Sequence, residues 1–279
     1  MSSKPNEDRW GIIRDSIIAV LASLLIVLFA AVLLSTGTIA IPPQSTNRPL
    51  ANYYLRTVFN HDLQWLWSSS PETVSAILLD HRGIDTVYGV GIFFITIMAT
   101  LMLTSKLENS SRVKDMGMDI ITRSVSKIIL LTLPVIAVSI ALHGHLAPGG
   151  GFQGGTVFAL AVSTAFIALG QGFLWSRGWS RHRLLGLGVL GLVIIFSIAL
   201  AIPVAGLFRG LKTYIMQNQW KPWSPIGFGY AYNLYGLEIL YSGSLLFLNI
   251  ALFIAMSSGL TLVFTLLMLR EEHGKGGHG

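Results

Sequence analysis

The stretch IILLTLPVIAVSIALHGHLAPGGGFQGGTVFALAVSTAFIALGQGFLWS, Ile128 to Ser176, decides the fold. It contains no Asp, Glu, Lys or Arg, and a Pro/Gly cluster from Pro148 to Gly151 splits it near its middle. A bilayer core about 30 Å thick needs about 20 apolar residues at 1.5 Å rise each. The stretch therefore holds two membrane crossings and the turn between them. Working outward, Ser16–Leu34 has 19 residues without a charge, Thr86–Ser105 has 20, Leu184–Phe208 has 25 and Ile239–Leu269 has 31. These runs predict an all-α, polytopic membrane protein. Its six transmembrane helices are expected at about 14–35, 86–104, 120–142, 153–172, 184–204 and 238–269.

Composition agrees. Of 279 residues, 52% are hydrophobic and 11% charged, against about 25% charged in an ordinary soluble domain. There is no Cys, which excludes disulfides, zinc-thiolate sites and iron–sulfur ligation by this chain. The net charge is +6, but the basic residues are spread along the chain with few aromatics among them, which speaks against nucleic-acid binding.

The bias reads instead as topology. One set of flanks collects 13 Lys and Arg, from Lys4, Arg9 and Arg14 through Lys106–Lys127 and Arg177–Arg183 to Arg270 and Lys275; the other set has 6, from Arg48 to Lys221. The richer side is expected to be cytoplasmic, with both termini on it and an anionic leaflet beside it. The first apolar run is longer than a signal-peptide core of about 7–15 residues and is expected to stay as a span. All seven Trp, among them Trp10, Trp65, Trp67, Trp175 and Trp223, fall near predicted helix ends, where such rings settle at the headgroup level.

Two external segments are long, 36–85 and 205–237. Short interfacial helices are expected at about 50–67 and 72–80, and an irregular course through 205–237, which holds Pro222, Pro225 and several Gly. Loops of this length are usually functional or contact something.

Asp80-His81-Arg82-Gly83-Ile84-Asp85 precedes the second span, and two readings stand side by side. Asp80 could pair with Arg82 while Asp85 caps a helix start. Alternatively, the cluster is the mouth of an ion pathway, where buried acids and a paired base set pKa values.

The decapeptide from Ile77 to Thr86 resembles the DxRGxDT motif in the C-terminal part of the A subunit of Mrp-type sodium/proton antiporters. The same piece forms the E subunit of archaeal membrane-bound hydrogenases and sulfane reductases. In that family the motif usually continues as Leu-Gly-Glu. Here the chain reads Val87-Tyr88-Gly89, so Gly89 stands in place of the intramembrane acid.

His143-Gly144-His145-Leu146-Ala147-Pro148-Gly149-Gly150-Gly151-Phe152-Gln153-Gly154-Gly155 formally contains a GxGxxG dinucleotide fingerprint. It joins two apolar spans and lacks the preceding strand, so that reading fails. The small residues Gly151, Gly155, Ala159 and Ser163 recur every four positions and predict a helix face for close packing. Free N–H groups at the start of that helix could also hold an anion. His143 and His145, two apart, do not share a helix face. They read either as a protonatable pair or as hydrogen-bonded structural histidines.

This run resembles the signature of the B subunit (MnhB/MrpB) of Mrp-type antiporters, the F subunit of membrane-bound hydrogenases. Four spans are expected in that family, and residues 118–270 supply four. The chain thus looks like a fusion of E-like residues 1–110 and MrpB-like residues 111–279. The resemblance implies other membrane subunits as partners, hydrogenase-like and iron–sulfur subunits among the candidates, and transported Na+ or H+ rather than a bound cofactor.

Lys127 either snorkels to the interface or serves a relay facing an internal cavity. Glu238 near the start of the last span, where the B family carries an acid, is the candidate acid of the second half. Asn249 is suited to an interhelical hydrogen bond. The ion-pathway candidates are therefore Asp80, Arg82, Asp85, Lys127, His143, His145 and Glu238. Gly149, Gly150, Gly151, Gly154, Gly155 and Ala159 are the packing candidates. A sodium site would draw on Asp80, Asp85, Glu238 and the carbonyls of Gly149–Gly155. The resemblance implies a membrane subunit of an Mrp-type sodium/proton antiporter module within a ferredoxin-driven hydrogenase or sulfur-reducing respiratory complex; a non-translocating structural subunit of such a complex, or part of a stand-alone Mrp antiporter, are the alternatives. No nucleophile–base pair, metal set or cofactor motif supports an autonomous enzyme.

Overall fold

The computed structural model describes residues 5–35, 48–104, 119–170 and 178–268. It divides into two units, 1–53 and 54–279, each described by itself. In the first, α1 (Pro5–Ser35) is one continuous helix whose uncharged part, Ser16–Ser35, is long enough to cross a bilayer. Its apolar side chains, such as Leu24, Ile26 and Phe29, are exposed, the surface a lipid-facing helix requires.

The second unit carries five further helices long and apolar enough to span: α4 (Gly83–Thr104), α5 (Ile120–His143), α6 (Gly151–Leu169), α7 (Arg181–Arg209) and α8 (Ser244–Met268). The chain is thus a helical, multi-pass membrane protein. The short elements lie between spans: α2 (Pro49–Val58), a 3-10 turn (His61–Leu63), α3 (Thr73–Ala76) with a π-helical turn (Ile77–His81), and the hairpin of β1 (Ala231–Leu234) and β2 (Leu237–Leu240).

The last helix, α8, is the axis of the unit. It packs against α6, α7, α4 and α5, and buries Leu245, Leu248, Ala251, Leu252, Ala255, Met256 and Leu262. Small residues on its neighbours make this possible. A Cβ added at Gly155 would lie 2.6 Å from Met256 Cβ, and one at Gly191 of α7 would lie 2.7 Å from the Ala255 nitrogen. Only glycine lets these backbones approach so closely. Gly154 does the same towards α5, 2.5 Å from the Ala137 carbonyl. Gly151, Gly155, Ala159 and Ser163, which recur every four positions along α6, are all buried. One apolar cluster joins α4, α7 and α8 near the loops (Leu79, Val90, Ile195, Ala199, Leu248). A second joins the same helices at their other ends (Ile97, Leu101, Leu184, Leu262, Leu266).

Three expectations are corrected. The last span does not begin at 238: residues 237–240 form β2 and the helix starts at Ser244. Tyr235-Gly236 makes the hairpin turn, with φ of 51° and 87°, a left-handed pair that ends any helix there. The region 205–237 is not wholly irregular, because α7 runs on to Arg209 before Gly210, and β1 fills 231–234. The helix expected over 50–67 stops at Val58, and the one over 72–80 is a single α turn that widens into the π turn. Residues 36–47, Lys106, Arg112, Lys114, residues 171–177 with Trp175, and the basic residues Arg270 and Lys275 lie outside the described residues.

Candidate functional site

The π turn positions the charged cluster. Its extra residue makes the Arg82 N–H bond to the Ile77 carbonyl at 2.8 Å, five residues back. Such single-turn insertions often occur where a side chain must be re-aimed. Asp80 is left half-buried beside Ser68, Asn218 and Lys221. Burial raises its carboxyl to about 6, although the Lys221 charge and the polar Ser68 and Asn218 pull the other way. Burial likewise lowers the Lys221 ammonium, with the Asp80 charge opposing. Each charge is held away from water and relieved in part by the other. Next to Asp80, the His81 Nε2 lies 3.1 Å from Thr57 Oγ1, and its ring meets Tyr54 at 5.3 Å. Burial first, and the Lys221 charge second, lower the imidazole's pKa.

The expected Asp80–Arg82 pair is not formed. Arg82 binds Asp85 instead, Nε to Oδ2 at 2.7 Å, with both side chains about 60% exposed. A pair this wet is worth roughly 0–1 kcal/mol. Asp85 sits in the first turn of α4, where an acid favours the helix start, but its side chain is committed to Arg82. Asp80, His81, Arg82 and Asp85 line a polar pocket of about 270 Å³ closed by Ile215 and Met216.

Beneath Asp80 lies a clamp built from three consecutive amides, Gln217-Asn218-Gln219, all buried. Asn218 Nδ2 donates to the Ser68 carbonyl at 2.9 Å, and its Oδ1 accepts the Ser244 N–H at 2.8 Å. One side chain thereby ties the 54–72 segment to the start of α8 and satisfies a helix-end donor. Gln219 Nε2 reaches Ser69 Oγ at 2.9 Å and the Gly229 carbonyl at 2.7 Å. Gln217 Nε2 reaches the Ile226 carbonyl at 2.6 Å. Trp67, fully buried, packs against Phe59, His61 and Tyr230 at 4.9–5.4 Å. Trp67 is thus a core residue of this cap rather than a headgroup anchor.

The His-Gly run seals the same end. His145 is buried; its Nε2 lies 3.0 Å from the Leu240 carbonyl, and its own carbonyl accepts Ser70 Oγ at 2.6 Å. Burial lowers its pKa, so the neutral ring is favoured. Glu72 is buried and caps α3 by accepting the Ser75 N–H. The Ser75 hydroxyl donates to the Gly144 carbonyl. His143 is exposed, with Nδ1 2.9 Å from the Ser139 carbonyl; the two histidines point to different partners and form no pair. Gly149 and Gly150 take φ of 147° and 141°, backbone states that side-chain-bearing residues rarely adopt.

Two candidates stand apart. Lys127 is exposed on α5 and faces no cavity among the described residues. Glu238 is exposed in β2, opposite Asn233. Among the described residues no three acids or histidines come together as a metal site, and Asp80, Asp85 and Glu238 do not converge. Lys221, Glu72 and the three amides were not singled out from sequence. Three adjacent amides in so apolar a chain were the available signal, since buried amides are retained where every polar atom finds a partner.

The chain is 28% identical over 209 residues to an uncharacterized protein of Methanocaldococcus jannaschii, covering 68% of this chain and 74% of that protein. Its fold is similar to a chain in the structure of the membrane-bound sulfane sulfur reductase, described as an archaeal respiratory membrane complex. There the TM-score is 0.58 at 22% identity, over 91% of this chain and 100% of that one. It is also similar to part of a chain in the Mrp complex from Dietzia sp. DQ12-45-1b. There the TM-score is 0.52 at 14% identity, over 92% of this chain but 27% of that longer one. Residues 121–262, half of the sequence and four of its six spans, match the family described as a domain related to the MnhB subunit of Na+/H+ antiporter. The chain belongs to that MnhB-related family.

Proposed function

We propose that this chain is a membrane subunit of a sodium/proton antiporter module, built into a redox-driven respiratory complex of the hydrogenase or sulfur-reducing kind. Membership of the MnhB-related family and the likeness to chains of an Mrp complex and a respiratory sulfane reductase support the module. In this reading residues 1–110 correspond to the E-type piece, allied to the C-terminal part of the antiporter A subunit, and residues 111–279 to the F-type piece. The loops carrying Asp80, His145 and Lys221 face outward and both termini face the cytoplasm.

The observation that carries an ion-handling role is the half-buried Asp80 with Lys221 beside it. A carboxyl raised to about 6 exchanges a proton near physiological pH, and Lys221 compensates the charge left behind. Arg82 and Asp85 form the wet rim of the same pocket. The experiment is sodium-dependent proton exchange by the assembled complex in sealed vesicles, comparing wild type with Asp80→Asn and Lys221→Met. The expectation is at least about a tenfold loss in each, the scale of about 1.4 kcal/mol, with assembly intact. Unchanged exchange in both variants would remove Asp80 from the pathway.

A second reading has its own observation. Among the described residues, no Asp, Glu, Lys or Arg is buried in the interior of a span; Lys127 faces outward, and α6 and α8 carry none. Position 89 is Gly rather than an acid. A charge relay through the bilayer would then run along neighbouring subunits, with this chain as the scaffold that shapes them. Exchange that survives Asp80→Asn but is lost with assembly in Gly155→Leu would select this reading.

A further inference from the structure

A lateral cleft of about 380 Å³ opens between the start of α4 and the start of α6, floored by α8. Its walls descend through Gly89, Phe93, Leu252 and Met256. From Asn249 to Met256 it follows seven residues of α8, about 10 Å of helix at 1.5 Å each. A Cβ added at Gly89 would meet nothing within 4 Å, so no described residue of the second unit fills the space beside it.

The loop end of the cleft is different. It is lined by Gly150, Gln153 and Asn249 at the N-terminus of α6. Asn249 is 1% exposed, and its Oδ1 accepts the Gly151 N–H at 2.9 Å. That bond fixes the amide's orientation, because only the oxygen accepts. Its Nδ2 is left buried without a partner. The Phe152 and Gln153 N–H groups, the next two in the first turn, also take no partner among the described residues. The polar end therefore offers donors, with the positive end of a 19-residue helix behind them. The Asn249 Nδ2 is a buried donor left unpaired, which is costly, whereas Phe152 and Gln153 are exposed; a ligand presenting an acceptor oxygen gains what the Asn249 amide lacks.

We propose that this cleft is a binding site for a single bilayer lipid, with an acceptor oxygen of its headgroup or ester region at the α6 N-terminus and one hydrocarbon chain lying along α8 past Gly89. The polarity order matches a lipid entering sideways: donors at the loop end, where headgroups lie, then an apolar trough into the hydrocarbon. A water-filled cleft fits poorly, because water needs two to four polar partners and the trough beyond Asn249 is apolar.

The test uses the assembled complex in vesicles containing a phospholipid with a photoreactive group near the middle of one acyl chain. Labelled peptides are mapped by mass spectrometry. Labelling at Phe93 and Met256 is expected in wild type. Gly89→Leu, which places a side chain in open space, should reduce it by roughly tenfold, equivalent to 1.4 kcal/mol of lost affinity. Asn249→Leu serves as the second variant and should weaken retention of the lipid through detergent washing, read by native mass spectrometry. Labelling of these residues that is equal in wild type and Gly89→Leu would overturn the proposal. So would labelling seen in the isolated chain but absent from the assembled complex, which would assign the cleft to a neighbouring subunit.

Discussion

Replacing Asn218 by Leu is the sharpest test of how the loop cap is held to the helix bundle. The substitution keeps the volume but removes both polar atoms. It breaks the bond to the Ser68 carbonyl at 2.9 Å, that from the Ser244 N–H at 2.8 Å, and a weaker one from Ser244 Oγ at 3.2 Å. Gln219 keeps Ser69 and Gly229 as partners, so its loss is small. The Ser68 carbonyl and the Ser244 N–H are stranded at buried residues. Each such group costs about 1–3 kcal/mol, which sums to about 2–6 kcal/mol. Water entering from the loop side favours the lower half, about 3 kcal/mol. For a chain of this size, thermal unfolding in detergent should move down by about 6–12 °C, at 2–4 °C per kcal/mol. Limited proteolysis should open first in the 205–243 segment. Asn218→Asp keeps the acceptor for Ser244 and should lose less at low pH, but it sets a second carboxyl near Asp80 and should lose more as pH rises. A shift under about 2 °C for Asn218→Leu, or identical pH profiles for the two variants, would refute the clamp.

Three other outcomes follow from the geometry. The Asp80 carboxyl is raised from 3.8 to about 6 in the fold, so the folded state holds its proton more tightly and this group's contribution falls as pH rises from about 4 to 6. The stability of Asp80→Asn relative to wild type should therefore move in the variant's favour by about 1–3 kcal/mol between about pH 4 and pH 6, after allowance for the partial exposure of Asp80; parallel unfolding curves for both proteins across that window would contradict this. Gly155→Leu forces a side chain where even a Cβ lies 2.6 Å from Met256, and α6 should separate from α8 at a cost of at least about 1–3 kcal/mol. Its mark is loss of folded protein in gel filtration, and full recovery would refute the packing. Glu238→Gln, in the exposed hairpin, should leave thermal stability within about 0.5 kcal/mol, and a larger change in melting would show that the hairpin is not free.

The spans were legible because a charge-free run of bilayer length has few other uses, and five of the six expected positions agree closely with the helices found. The last span was placed too early because Ile239-Leu240-Tyr241 is as apolar as a helix start. What holds the helix start back to Ser244 is the left-handed Ser242-Gly243 pair directly before it, with φ of 53° and 66°, a local backbone choice. The small face of α6 was readable from its four-residue period. The site was half readable. Adjacency in sequence identified Asp80 to Asp85 but suggested the wrong ion pair, since the π turn rotates Asp80 inward and leaves Arg82 to Asp85. Lys221 and Asn218 are brought to Asp80 from about 140 residues away, a tertiary fact that no spacing rule reveals.

The most direct measurement is gentle affinity purification of this chain from native membranes, followed by mass spectrometry of what accompanies it. Antiporter-type membrane subunits in fixed stoichiometry are expected, together with hydrogenase-like and iron–sulfur proteins. Antiporter-type subunits alone would keep the module and remove the redox arm. A chain recovered by itself after mild solubilisation would show that it does not work as one subunit of an antiporter module.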